Sequence, residues 1–357
     1  MTSRRPIDSS PTVRHLSCRA VALLVLGTAG AGTHDAQAGY GDVDAQGFPS
    51  WDERNDHIWT NVVRVAPEDF EEEYNLGGCS FDDFEASEQT PKDPLYYDRN
   101  LNIASRAHCD DMYSNNWFDH DSSDGTAWDV RIGQYYSESS YIGENIAYGY
   151  GGGYNTIMLG WMCSSGHRSN IMLADYNELG TGEVSDYHTQ DFAAGSVDTD
   201  GPVAMGSHYP ESPSATVAFY LDWQDSDAPA SIQVVLDGEG LDLELAWGED
   251  TLGVFTLTES VSDVECSEYF FRWTTAAGES GTFPGDGSYQ YGPDCDNDLM
   301  WVDQQLEPYD EDQSDRDIQD LLLADIELVG CATTRGTRSA HALGLVLLAL
   351  GLRRRRR

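Results

Sequence analysis

The spacing of apolar residues changes once along this chain, near Ser214, and that change limits the folds open to it. Before it, Trp51, Asn55, Ile58, Trp59, Val62 and Val63 recur at helical spacing, and Pro67 ends the run. A second helix is expected from about Asp98 to Trp117, with Leu101, Ala104, His108 and Met112 on one face. A third covers Thr156 to Met162, and a short fourth covers His167 to Leu173. GTGEV and YHTQDFAA alternate as strands joined by a turn at Ser185-Asp186. After Ser214, ATVAFYLDW, ASIQVVLDG, LDLELAW, GVFTLTE and EYFFRWTT are short alternating runs separated by Gly, Asp and Pro. Such runs build a small antiparallel β domain, so the fold class is α+β.

Both ends read as address signals. Arg4, Arg5, Arg14 and Arg19 precede the apolar run AVALLVLGTAGAG, and Ala36-Gln37-Ala38 is a small-x-small cleavage pattern, so residues 1–38 are expected to be an export signal. At the other end, Cys331 is followed by the apolar run from Ala340 to Leu352 and five arginines. A helix of that length rises about 20 Å, short of a ~30 Å hydrocarbon core. It reads either as a weak anchor with a positive stop or as a sorting tag in transient membrane contact. Cysteine, apolar run and arginine cluster in this order resemble the MYXO-CTERM type of bacterial sorting signal, which implies recognition followed by cutting.

Eleven of the 20 Lys and Arg residues lie in those ends, and only two of the 62 acids do. The body keeps 60 acids against nine bases, a net of about −51, with Lys92 its one lysine. Nucleic acid is excluded as a partner, because it is bound by clustered cations that displace counterions. The acids read as a surface kept soluble by repulsion, and no EF-hand loop or regular Asp-Gly repeat marks a calcium site. Five cysteines lie between the two signals, and an exported chain permits disulfides. No zinc-type pair occurs, so bridges are expected: Cys266 with Cys295, and Cys79 with Cys109, leaving Cys163 free.

Five elements carry groups capable of chemistry: NNWFDHDSSDG, Arg131, GENIAYG, WMCSSGHRSNIM with NELGTG, and YHTQDF. Singly each is weak, since a lone His is usually packed and a lone GEN is only a turn. As an ordered set, the region from Trp51 to Ala194 resembles the CAP superfamily (cysteine-rich secretory, antigen 5 and pathogenesis-related 1 proteins), in its bacterial SCP-like branch. The resemblance implies a CAP-type α-β-α sandwich with a shallow cleft, which eukaryotic members line with two His and two Glu. His120 matches the first His, Glu144 the Glu of GEN, and His167, thirteen residues before Gly180, the second His. The fourth position is Ser164, which removes one carboxylate.

Two imidazoles and a carboxylate, with water in the open position, suit a divalent ion such as zinc. His120, Glu144 and His167 are therefore the expected metal ligands, with Asp119 and Asp121 available to orient His120. The bland reading of the same residues is a hydrogen-bonded network holding helices to the sheet, with Asn145 and Arg168 as structural partners. A Ser-His-Glu triad through Ser164 or Ser165 lacks the Gly-x-Ser-x-Gly elbow, and those serines suit a helix N-terminus better. Tyr148, Tyr150 and Tyr154 around the glycines read as an aromatic rim able to grip a glycan or a small apolar ligand.

The expected organisation is an export signal over residues 1–38, a CAP domain over 51–195 and a β domain over 214–300. An acidic linker over 301–330 and a sorting or anchor signal over 331–357 complete it. The expected role is an exported binding protein, displayed on or released from the cell surface. A metal-dependent extracellular hydrolase and a structural or adhesive surface protein are the alternatives.

Overall fold

A computed structural model of the chain describes residues 40–43, 47–69, 79–197, 201–213, 215–236, 238–261, 266–292 and 295. The expected export signal, acidic linker and C-terminal tail lie outside the described residues. The fold is α+β, mixed helices and sheet followed by antiparallel strands.

Helix α1 (Trp51–Val65) begins at a capping box, in which Ser50 accepts from the Glu53 amide and Glu53 accepts from that of Ser50. Helix α2 (Arg99–Ser114) starts at Asp98, whose carboxylate accepts from the Leu101 amide. Between and after them come β1 (Tyr96–Tyr97), α3 (Trp128–Tyr135) and β2 (Ile142–Tyr148). Helix α4 (Gly153–Asn155) continues into a π-helical turn (Thr156–Trp161), and α5 (Ser165–Ile171) leads to the hairpin of β3 (Glu178–Val184) and β4 (Tyr187–Ala193). Ser185 turns that hairpin with φ +55°.

These strands form one sheet in the order β1-β3-β4-β2. Its two faces are assigned by alternation along β3. Gly180 and Gly182 face α2 so closely that a Cβ on either would lie 2.0 or 2.4 Å from α2 backbone atoms. Thr181 between them donates to the Glu53 carbonyl of α1 instead. Helices α1 and α2 therefore cover opposite faces, the layering the resemblance implies.

Among the described residues nine further strands follow: β5 (Gly206–Tyr209), β6 (Thr216–Gln224), β7 (Ser231–Leu236), β8 (Glu239–Asp242), β9 (Glu244–Glu249), β10 (Leu252–Ser260), β11 (Ser267–Thr274), β12 (Ser280–Phe283) and β13 (Tyr289–Tyr291). They form two antiparallel sheets, β5-β6-β10-β9 and β12-β11-β7-β8, with β13 beside β11. Helix α1 packs against the first of these as well as against β3, so it is a shared layer between two sheets. That explains a departure from the sequence expectation of an amphipathic helix. Glu53, Asn55, Asp56 and Asn61 are buried with the apolar stripe, and they bond to groups on other elements. One apolar core runs from Ile58 and Trp161 through Phe219 and Trp223 to Phe271.

Two local expectations are corrected. The GEN residues lie within strand β2, paired to β4, and not in a turn. Cys79 is bridged to Cys163, while Cys109 is buried and free. The free thiol follows from α2 lying on the sheet, where Cys109 Sγ donates within 3.2 Å to Gly182 O and Thr189 Oγ1. The expected Cys266–Cys295 bridge is present.

Candidate functional site

Glu144 sits mid-strand in β2, directly opposite Asp191 of β4, and both face α2. Its side chain is 1% exposed and both carboxylate oxygens are taken. Oε1 accepts from His120 Nδ1 at 2.8 Å, and Oε2 accepts from the Arg131 guanidinium. Arg131, on α3, also donates to the His120 carbonyl at 2.8 Å, which ties the loop carrying His120 to the same carboxylate. His108 of α2 is buried on this face and bonds the Asp119 carbonyl through Nε2 at 3.0 Å.

Burial alone would raise the Glu144 pKa, but the His120 hydrogen bond and the Arg131 charge together hold it below the usual carboxylate range. For His120, burial opposes protonation, and the Glu144 contact outweighs it to raise the imidazole. Asp191 goes the other way: burial, then the neighbouring Glu144 charge, pushes its carboxyl well up. His108 and His167 are each lowered to about 4, chiefly by burial. The charge of His120 acts further on His167.

The structure thus joins His120 to Glu144 directly, while no side chain hydrogen-bonds the ring of the buried His167. The metal implied by the resemblance can be tested on this geometry. Glu144 does not fit as a ligand, because its oxygens are already satisfied and a fixed guanidinium repels an incoming cation. It fits as the acceptor that orients a ligating His120 through Nδ1, leaving Nε2 and His167 as donors. Asp119 and Asp121 do not take that orienting role: their carboxylates accept from the amides of Asp121 and Trp128. No serine hydroxyl bonds His167, and Ser164 sits at the start of α5 without a side-chain cap bond. Asn145 and Arg168 are structural as expected, Asn145 donating to the His167 carbonyl and Arg168 pairing with buried Glu88.

Among the described residues, one group of three metal-type donors has ligand atoms all within 4.8 Å of one another, and it is Asp56, Glu183 and His188. His188 lies in the motif YHTQDF, but Asp56 and Glu183 carried no signal of their own in so acidic a chain.

A cavity of about 540 Å³ opens where α1 meets the second sheet. Trp51 and Trp59 of α1, Tyr154 of α4, Tyr209, Tyr220 and Trp247 line it. Trp51 stacks on Tyr209 and Tyr220 on Trp247, while Trp59 stands edge-on to Tyr154 at 4.8 Å. Asp52 and Asn55 supply polar groups, and Asn55 Oδ1 is buried without a partner. Of the three tyrosines expected to form a rim, only Tyr154 lines this cavity. Tyr148 packs on Tyr187 at 4.5 Å, and the Tyr150 ring lies against Gly160. Half the aromatic lining comes from strands after Ser207, whose alternation marks β structure but not which faces meet a helix.

Residues 59–196 match the family model described as CAP, the cysteine-rich secretory protein family. The membrane protein YlbC of Bacillus subtilis is 35% identical over 98 residues, 28% of each chain. YkwD of the same organism is 36% identical over 92 residues, 26% of this chain and 35% of that protein. The chain thus spans about a third of the length of these relatives. An extracellular protein containing a SCP domain from Bacillus anthracis is 31% identical, with a TM-score of 0.27 over 28% of this chain and 34% of that one. A cysteine-rich secretory protein from Staphylococcus aureus is 19% identical, with a TM-score of 0.26 over 36% of this chain and 39% of that one. The match supports a CAP domain over residues 59–196, and the strands that follow lie outside it.

Proposed function

We propose that this is an exported binding protein whose ligand is a glycan held in the aromatic cavity between α1 and the second sheet. The observation that carries the reading is the lining itself, three Trp and three Tyr with Asp52 and Asn55 among them. Aromatic faces stack on the C–H faces of sugars, and a polar group beside them, here the Asp52 carboxyl, selects a hydroxyl. A purely apolar ligand would leave Asp52 unsatisfied. Export is supported by the two disulfides, by the N-terminal signal pattern and by the secretory family matched. The C-terminal tail remains part of the proposal as a sorting tag, and an intact mass of surface-extracted protein that retains the five terminal arginines contradicts it.

The cavity is tested by glycan-array binding of the intact protein beside the Trp247→Ala variant. The expected result is retention of one saccharide class by the wild type and at least a ~10-fold loss in the variant. Absence of saccharide binding, or equal binding by the variant, overturns the reading.

A second reading is favoured by the His167 ring, which no side chain hydrogen-bonds: His120 and His167 hold a divalent ion, with Glu144 orienting His120. Such an ion supplies Lewis acidity when bound. Hydrolysis would further need a free base, and Glu144 already accepts from both Arg131 and His120. This geometry therefore favours binding over turnover.

A further inference from the structure

The face of the sheet that α1 covers carries a second cluster, unrelated to the cleft described above. Glu183 of β3 and His188 of β4 are direct cross-strand partners, which brings both side chains to one face beside the Ser185-Asp186 turn. Asp56 reaches them from α1. His188 Nδ1 lies 3.0 Å from Asp56 Oδ2 and 3.7 Å from Glu183 Oε2. Asp56 and His188 are both 0% exposed.

Three atoms in this group have no hydrogen-bond partner: Asp56 Oδ1, Glu183 Oε2 and His188 Nε2. Two buried carboxylates converging on one imidazole leave acceptor capacity that a single ring N–H cannot fill. The surroundings do not supply it. The carboxylates of Asp52, Glu53, Asp186 and Glu211 are the charged neighbours that act on Asp52 and Glu183 besides His188. The nearby cation, Arg106, is paired with Glu53 at 3.0 Å. Asp56 is paired with His188 through one oxygen only, and its Oδ1 and Glu183 Oε2 keep lone pairs that no protein donor fills, which is the arrangement a bound cation would complete.

We propose that Asp56, Glu183 and His188 form a divalent-metal site of the zinc and manganese class. The imidazole decides the class: calcium and magnesium take oxygen donors, whereas an N,O set suits transition ions. Three protein ligands leave a position open to water. The way in is through Glu183, whose side chain is 15% exposed. Gly152 lies beside that approach, its Cα hydrogen position in contact range of Asp52 and Glu183. Gly152 and Asp52 also line the aromatic cavity, so the ion would border it.

The test is a calorimetric titration of chelator-treated protein with zinc chloride, in a background that removes the other candidate donors, His120→Ala with His167→Ala. The expected result is one equivalent of zinc bound and a melting temperature raised on binding. Adding Asp56→Asn or Glu183→Gln to that background should lower zinc affinity at least ~100-fold. Calcium chloride should give neither heat nor a thermal shift. Failure of the His120→Ala, His167→Ala protein to bind zinc overturns the proposal, as does binding that survives both Asp56→Asn and Glu183→Gln. Loss of saccharide binding in the Trp247→Ala variant leaves this titration unchanged, so the two readings fail separately.

Discussion

On the α2 face of the four-stranded sheet, Glu144 is buried against a guanidinium and an imidazole. On the α1 face, Asp56 and Glu183 are buried against one imidazole, with more carboxylates around them. The residue types are the same, so what surrounds each carboxylate decides. Arg131 and His120 keep Glu144 ionised, whereas crowding on the other face pushes Glu183 well above the usual carboxylate range, burial first and Asp52 next. A chain with nine bases in its body cannot pair every buried acid, and the contrast shows where one of its few arginines was placed.

The sharpest way to break this comparison is to remove the cation from the α2 face. Arg131→Ala leaves Glu144 buried with His120 alone, and removing one partner of a buried pair costs about 3–5 kcal/mol. Urea denaturation at neutral pH should show a loss of that order. A loss below about 1 kcal/mol would mean that Arg131 is not what keeps the Glu144 charge.

Two residues, one on each face, should also answer pH with opposite signs. On the α2 face, His108 is lowered from 6.5 to about 4 by burial, so the unfolded chain binds a proton that the folded chain refuses. Stability is therefore lost as pH falls through that window, by about 3 kcal/mol from this residue. His108→Gln should flatten that part of the denaturation profile, and an unchanged slope would show that His108 protonates freely in the folded protein.

On the α1 face, Asp52 is raised from 3.8 to about 7, by burial and then by Asp56. Here the folded chain holds a proton the unfolded chain has released, so stability is lost as pH rises through the window. Its side chain is only half-buried and water screens it, so Asp52→Asn should add about 1–2 kcal/mol at neutral pH. A destabilised Asp52→Asn protein, in the absence of divalent ions, would mean that Asp52 is paired.

The sequence showed the elements better than their neighbours. Helix α1 was visible from Trp51 to Val63 and α2 from Asp98, because apolar spacing and caps are local signals. The region's layering was legible only through resemblance, and the Gly180–Gly182 contact with α2 gives it a physical cause. Helix α3 was missed: Trp128–Tyr135 is a single eight-residue stretch with exposed Val130 and Tyr135, and its N-terminus has no side-chain cap. Of the site, His120 and Glu144 were placed together by motif, and the structure joins them. The role of Arg131 was not legible, because it depends on α3 crossing the end of β2. The Cys79–Cys163 bridge spans 84 residues and the cavity lining joins α1 to strands far along the chain, contacts which composition and period do not encode.

The direct test of the central contrast, that one face of the sheet carries a guanidinium against its carboxylate while the other has only an imidazole, is an anomalous difference map from crystals soaked in zinc. The account predicts a peak among Asp56, Glu183 and His188, with Arg131 still paired to Glu144. A zinc ion bound by the Glu144 carboxylate with Arg131 displaced, and no peak on the α1 face, would contradict it.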